Sequence, residues 1–262
     1  MKNIFLKFIL AVTLLVGAGN AFAVSPQILV LAPKKTTYQV PVLVYHSFGP
    51  ALSKKETVMQ THYRVTAEMF EKQMKYLQDN GYHPVSFSAY VNSLINKAKL
   101  PEKAVVLSFD DGWKTQYKYA VPILEKYNFT GTFFIVSSYV GYGSYMNWTD
   151  LKDLVAHNFD IESHTKTHQL LTKIDPKKLP DELSTSKKIL EDKLGIKVTT
   201  LAYPNYAQNE AVRQAVKSAG YLGARAGWAK FNNSIDYIYQ LKSQEVVNNP
   251  NPFAEKRLPD LP

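Results

Sequence analysis

Short apolar runs separated by helix-patterned segments recur along most of this 262-residue chain, and this limits the fold more than any other feature. Val40–Tyr45, His83–Val85, the run ending at Phe109, Thr132–Val136, Phe159–Glu162, Thr199–Ala202 and Tyr221–Ala224 have strand length and composition. Between them, Ala67, Phe70, Met74 and Leu77 trace one helix face that stops at Gly81. Further helices are expected over Ala89–Asn96, from Pro122 through Tyr127, from a Thr149 cap to His157, from Pro180 to Gly195, and over Asn209–Ala219. Such alternation builds a parallel sheet covered by helices. With this many units in one domain, the expected fold is α/β, a closed or partly closed (β/α) barrel. A doubly wound open sheet is the alternative.

The chain ends read differently. Lys2 and Lys7 precede an apolar core, Phe8–Val16, that is too short to span a bilayer comfortably. Ala21-Phe22-Ala23 is a small-x-small cleavage site, so residues 1–23 are expected to be a secretory signal and Val24 the mature start, leaving 239 residues. Residues 24–39 read as a lead-in, 40–247 as the domain, and 248–262, with Pro250, Pro252, Pro259 and Pro262, as an irregular tail. The expected location is periplasmic or secreted. The chain has no cysteine, so neither a disulfide nor a lipid-modified Cys is available and stability rests on the core. The formal charge of +9 falls to +7 without the signal. That balance outside the cytoplasm suits peripheral contact with an anionic cell surface, and nucleic acid is not an expected partner.

Chemistry concentrates at two strand ends. Ala104-Val105-Val106-Leu107 leads into Ser108-Phe109-Asp110-Asp111-Gly112, and Phe159–Glu162 leads into His164-Thr165-Lys166-Thr167-His168. Adjacent residues at a strand end point in different directions, so the two acids can do different jobs. Two His four apart suit one cation, and a carboxylate completes the set. Asp111, His164 and His168 then leave positions open for water and substrate, while Asp110 is placed to take a proton. This constellation suits hydrolysis of an amide or ester. Alone, an Asp pair at a turn is ordinary solvated turn chemistry, and a His pair is often surface. Their joint occurrence at two strand ends is what argues for a site, since parallel barrels carry active sites at the C-terminal ends of their strands.

These two motifs resemble the [TS]-F-D-D-G and H-[ST]-x-x-H motifs of the polysaccharide deacetylases, carbohydrate esterase family 4, also called the NodB homology domain. Val42-Leu43-Val44-Tyr45-His46, Asn147-Trp148-Thr149 and Leu201-Ala202-Tyr203-Pro204 extend the resemblance from about Val40 to Val246. It implies a distorted barrel of about seven strands and the removal of N-acetyl or O-acetyl groups from a glycan. It implies Asp110 as base, Asp111, His164 and His168 as ligands of a divalent metal (usually zinc), and an oxyanion contact from the N–H of Asn205. Tyr203 falls within the same substrate-side motif.

Two departures stand out. The family's third motif begins with an Arg that orients the base, and Ala202 occupies that place. The Ala-Tyr-Pro form resembles the branch acting on extracellular β-1,6-linked N-acetylglucosamine polymers. Lys242 and Arg225 are candidates for the missing charge, and spacing does not choose between them. The family's C-terminal Leu-x-His, whose His acts as general acid, is also missing, because no His follows His168. His46, at the end of the first strand, is the expected substitute. His62, His83 and His157 are weaker candidates. Trp113, Trp148, Tyr142, Tyr145 and Trp228 are candidates for stacking on sugar rings, with Trp113 and Trp148 favoured by their closeness to the motifs. Two other classes remain at this point: a non-catalytic glycan-binding protein on the same scaffold, motivated by the two departures, and a non-haem iron oxygenase, which shares a two-His-one-carboxylate site.

Overall fold

The computed structural model describes residues 39–50, 63–227 and 234–247. The expected signal, nearly all of the lead-in, His62, Trp228 and the C-terminal tail lie outside the described residues. Ten strands are described. They are β1 (Val42–Tyr45), β2 (Ser47–Gly49), β3 (Arg64–Thr66), β4 (His83–Val85), β5 (Ala104–Asp111), β6 (Thr132–Ile135), β7 (Asp160–Ser163), β8 (Thr200–Ala202), β9 (Gly223–Arg225) and β10 (Gln244–Glu245).

The main sheet is parallel throughout and runs β10-β1-β5-β6-β7-β8-β9, with β4 paired to the start of β5. The path has seven strands, and its two edges are linked by one segment. Leu241 bridges to Arg225 of β9, and four residues further on Glu245 pairs with Val44 of β1. The expected distorted (β/α) barrel is therefore the observed fold, and a doubly wound open sheet is not.

Period-two alternation in β5 assigns its two faces. Val105, Leu107 and Phe109 enter the larger apolar cluster with the helices Ala67–Asp79, Trp148–Ala156 and Ser186–Leu194. Ala104 and Val106 enter a second cluster with Val42, Phe134, Ala202 and Leu241, covered by Phe87, Tyr90 and Val91 of the helix Phe87–Asn96. By the same alternation Ser108 and Asp110 follow Val106 on the second face. β5 is buried over its whole length except at Asp111, as a strand covered on both faces should be.

Phe109 anchors the Asp pair to the scaffold. It is fully buried and stacks on Phe133 at 4.6 Å and on Tyr45 at 5.5 Å, with the Phe70 ring edge at 6.0 Å. Gly131 makes room for it, since a Cβ there would lie 2.7 Å from the Phe109 ring. Two expectations fail locally. Asn147, not Thr149, caps the helix Trp148–Ala156. Pro122 does not open a helix, because helical structure begins at Lys114 and passes through a π-turn at Gln116–Ala120 into Val121–Lys126. Val121 donates five residues back to Gln116, the kind of register change that accommodates a proline in a helical ladder. Phe109→Ala should lower unfolding free energy by about 3–5 kcal/mol in a urea titration, because it empties the centre of an aromatic cluster.

Candidate active site

Most of the candidate site residues sit where a parallel strand ends. His46 follows β1, Asp110 and Asp111 end β5, His164 follows β7, Tyr203 follows β8, Arg225 ends β9 and Glu245 ends β10. The shared strand direction places these positions on one rim of the barrel.

Asp111, His164 and His168 meet there. Asp111 Oδ1 is 3.4 Å from His164 Nε2 and 3.3 Å from His168 Nε2, and one ligand atom from each residue lies within 4.8 Å of the others. Alternation alone would turn Asp111 away from the face of Asp110. Its φ of 74° bends the chain as β5 ends, a conformation that Asp tolerates better than most residues. His164 Nδ1 lies 2.8 Å from the Ala202 carbonyl, which accepts from an Nδ1–H and fixes the ring with Nε2 turned toward Asp111. Burial would raise the Asp111 carboxyl, but the hydrogen bond and charge of His164, with His46 and His168, outweigh it and hold the group below the usual carboxylate range. Burial, reinforced by His164, lowers the His168 imidazole and keeps its lone pair available. One ionised carboxylate between two imidazole nitrogens is a donor set that fits a divalent cation.

His168 is placed by a braced loop. Thr165 and His168 both have left-handed backbone, with φ of 68° and 59°. Buried Glu182 accepts from the backbone N–H of Lys166 at 3.1 Å and of Thr167 at 2.9 Å, and from the Thr167 hydroxyl. Thr165 Oγ1 accepts from the His168 N–H at 3.1 Å. Glu182 went unnoticed in the sequence because nothing local marks it as a partner of the His motif.

Asp110 is separate in environment. Its side chain is 3% exposed, and Oδ2 accepts a charge-assisted hydrogen bond from Arg225 Nη2. Oδ1 is buried and has no hydrogen-bond partner. Arg225 is thus the charge that the sequence left undecided. The register explains how it substitutes, because Ala202 of β8 pairs directly with Arg225 of β9. The cation has moved one strand over at the same level of the sheet. Its guanidinium is fully buried, donates to Ser243 Oγ at 3.2 Å, and lies over the rings of Phe134 and Tyr206. Gln116 is a further residue the sequence did not reveal. Its buried amide donates to the carbonyls of His46 at 2.7 Å and of Asp110, tying two strand ends together.

His46 reaches the same place. Its Nε2 is 3.8 Å from Asp110 Oδ2 and 3.9 Å from Glu245 Oε1. Trp113 Nε1 donates to Asp111 Oδ2 at 2.9 Å, and its ring stacks on Tyr145 at 4.3 Å, with Tyr142 71% exposed on the same loop. Trp113 and Tyr145 thus stack beside the cluster. The other two substrate-side aromatics sit deeper. Tyr203 is 1% exposed with its hydroxyl committed to the Tyr239 carbonyl at 2.9 Å, so its ring belongs to the core. Trp148 packs half-buried against the main core as the first residue of its helix. Asn205 is exposed with φ of 50°, and Tyr206 after it is half-buried. His83 is exposed in β4, and His157 caps the end of Trp148–Ala156. Glu182→Ala should weaken divalent-cation affinity about 10- to 100-fold in a competitive chelator titration, because it releases the loop that carries His168.

The polysaccharide deacetylase family model matches residues 97–224. YxkH of Bacillus subtilis, a polysaccharide deacetylase by name, is 31% identical over 183 residues, which cover 70% of this chain and 62% of that one. This chain therefore spans less than two thirds of that relative's length. A poly-β-1,6-N-acetyl-D-glucosamine N-deacetylase of Staphylococcus aureus is 27% identical over 213 residues, covering 75% of this chain and 68% of that one. Among solved structures, the deacetylase PplD of Streptococcus pyogenes, in complex with acetate, superposes with a TM-score of 0.76 at 24% identity, over 82% of this chain and 95% of that one, a likeness of fold. A polysaccharide deacetylase of Bacillus cereus superposes with a TM-score of 0.68 at 26% identity, over 80% of this chain and 65% of that one. Motifs, barrel and relatives agree: residues 97–224 of the chain form a domain of the polysaccharide deacetylase family.

Proposed function

We propose that this protein is an exported, divalent-metal-dependent hydrolase that removes N-acetyl groups from a surface polysaccharide of the β-1,6-linked N-acetylglucosamine type. The observation that carries the reading is Asp110, a buried carboxylate with one oxygen clamped by Arg225 and the other unpartnered, beside the Asp111–His164–His168 set. A structural ion pair needs no such neighbour, whereas a base for a water molecule does. The Staphylococcus aureus relative's name supports the glycan class, and the +9 charge suits an anionic envelope. Residues 1–23 are the proposed export signal.

A divalent cation held by Asp111, His164 and His168, with zinc suited to this donor set, would supply Lewis acidity at the acetyl carbonyl and lower the pKa of a water there. Asp110 accepts the water proton at Oδ1 while Arg225 keeps Oδ2 fixed. As the water oxygen bonds to the acetyl carbonyl carbon, the C=O double bond opens and the backbone N–H of Asn205 donates to the negative charge left on the carbonyl oxygen. The C–N bond then breaks, His46 Nε2 gives a proton to the departing nitrogen, and acetate and the free amine leave. Trp113, Tyr145 and Tyr142 offer aromatic faces to the sugar rings.

Arg225 removes the main motive for a non-catalytic glycan-binding reading, since the base has its partner. An iron oxygenase would leave Asp110 without a task. Acetate release should be measured on poly-β-1,6-N-acetylglucosamine, peptidoglycan, chitin oligomers and acetylated xylan, with metal-stripped and metal-restored protein. We expect metal-dependent release from the first, reduced about 10²- to 10⁴-fold in Asp110→Asn. Release that persists in Asp110→Asn, or glycan binding with no release under any metal, would contradict the proposal.

A further inference from the structure

The acid side of the site contains a second carboxylate to which no role has been assigned. Glu245 ends β10, the short strand that pairs with β1, and its register partner Val44 lies two residues before His46. Its side chain is 7% exposed. Oε1 accepts from the Tyr206 hydroxyl at 2.6 Å and lies 3.9 Å from His46 Nε2, while Oε2 is buried without a partner. A carboxylate is costly to bury and is normally paired or hydrogen-bonded. Here one oxygen accepts from a hydroxyl, and an imidazole nitrogen of the proposed acid lies 3.9 Å from it.

Tyr206 is held with unusual firmness. Its φ of 58° follows the left-handed Asn205, so two consecutive non-Gly residues adopt a backbone that L-residues disfavour. Its ring lies 5.6 Å from the Arg225 guanidinium, and Gly227 packs so closely that a Cβ there would be 2.4 Å from the ring. One side chain therefore touches both halves of the machinery. Its face lies against the Arg225 that clamps Asp110, and its hydroxyl fixes Glu245 beside His46.

Among the described residues, the His46 ring has few other constraints. Its Nδ1 is buried and unpartnered, its ring is tilted against Tyr63 at 5.1 Å, and its carbonyl is held by Gln116. The ring position thus depends on what faces Nε2. Two acids face it, Asp110 at 3.8 Å and Glu245 at 3.9 Å. Both distances exceed hydrogen-bond length, so the attraction is between charges and acts on the protonated ring.

We propose that Glu245, fixed by Tyr206, is the positioning residue that keeps the protonated His46 ring aimed at the departing nitrogen. This rests on the reading of His46 as general acid. In the step itself, the C–N bond breaks as the Nε2 proton passes to nitrogen, and Glu245 neither gains nor loses a proton. Glu245 acts only through the ring.

The test uses two substrates on the metal-loaded full chain. An N-acetylglucosamine oligomer has a basic leaving amine that needs a proton. 4-Nitrophenyl acetate has a leaving group that departs without one, so loss of an acid spares it. His46→Ala should lower amide turnover about 100-fold or more while leaving aryl-ester turnover within about two-fold. Glu245→Gln should show the same selectivity at about 10-fold, Glu245→Asp should restore part of the loss, and Tyr206→Phe should reproduce it more weakly. In the His46→Ala background, Glu245→Gln should have no further effect. A selective His46→Ala with an unselective or unchanged Glu245→Gln overturns the positioning role and leaves the acid reading standing. An unselective His46→Ala overturns the acid reading, and the inference falls with it.

Discussion

The buried ion pair between Arg225 and Asp110 organises this site. The two residues lie 115 positions apart in sequence, and both side chains are essentially removed from water. An isolated buried charge is unfavourable, so each makes the other tolerable. Breaking such a pair from one side typically costs about 3–5 kcal/mol, because the remaining charge is left uncompensated. The pair requires β9 to lie at the end of the sheet path and the segment Leu241–Glu245 to close the gap back to β1. That segment also supplies Ser243, which accepts from Arg225, and Glu245, which faces His46. The segment that closes the barrel thus also supplies residues of the site.

The adjacent acids are separated by backbone geometry. Asp110 stays on the strand pattern and faces the same way as Val106, where Arg225 reaches it. Asp111 leaves the pattern through its positive φ and turns to the imidazoles and to Trp113. One carboxylate is paired with a permanent cation, and the other is surrounded by nitrogen donors. Phe109 fixes both by filling an aromatic cluster on the opposite face. Strand alternation therefore connects packing on one side to chemistry on the other.

Local signals were legible in the sequence. The strand–helix alternation foretold the parallel sheet, and the Asp pair with the His pair foretold the cluster, because each depends on residues close together in the chain. What was not legible depends on register between distant strands. Arg225 could be recognised as the replacement for an Arg at 202 only once Ala202 and Arg225 were seen as neighbours. Glu245 gains meaning only through its pairing with β1, and Glu182 only through contacts 15 and 16 residues back. The surroundings of Tyr203 and Trp148 were hidden for a different reason. An aromatic beside a motif has the same composition whether it faces a ligand or the core, and here Tyr203 is buried while Trp148 is half-buried against the core. Pro122 was misjudged because a π-turn let the helix begin before it.

The central claim is that a cation displaced by one strand holds the catalytic base. It is tested most directly by measuring acetate release from the N-acetylated glycan with Arg225→Met and Arg225→Lys, with metal content determined in the same samples. The account predicts turnover reduced about 100-fold or more in Arg225→Met at undiminished metal content, with Arg225→Lys recovering only part, since a lysine lacks the planar fork that reaches Asp110 and Ser243 together. Turnover in Arg225→Met equal to that of the unaltered protein would contradict it.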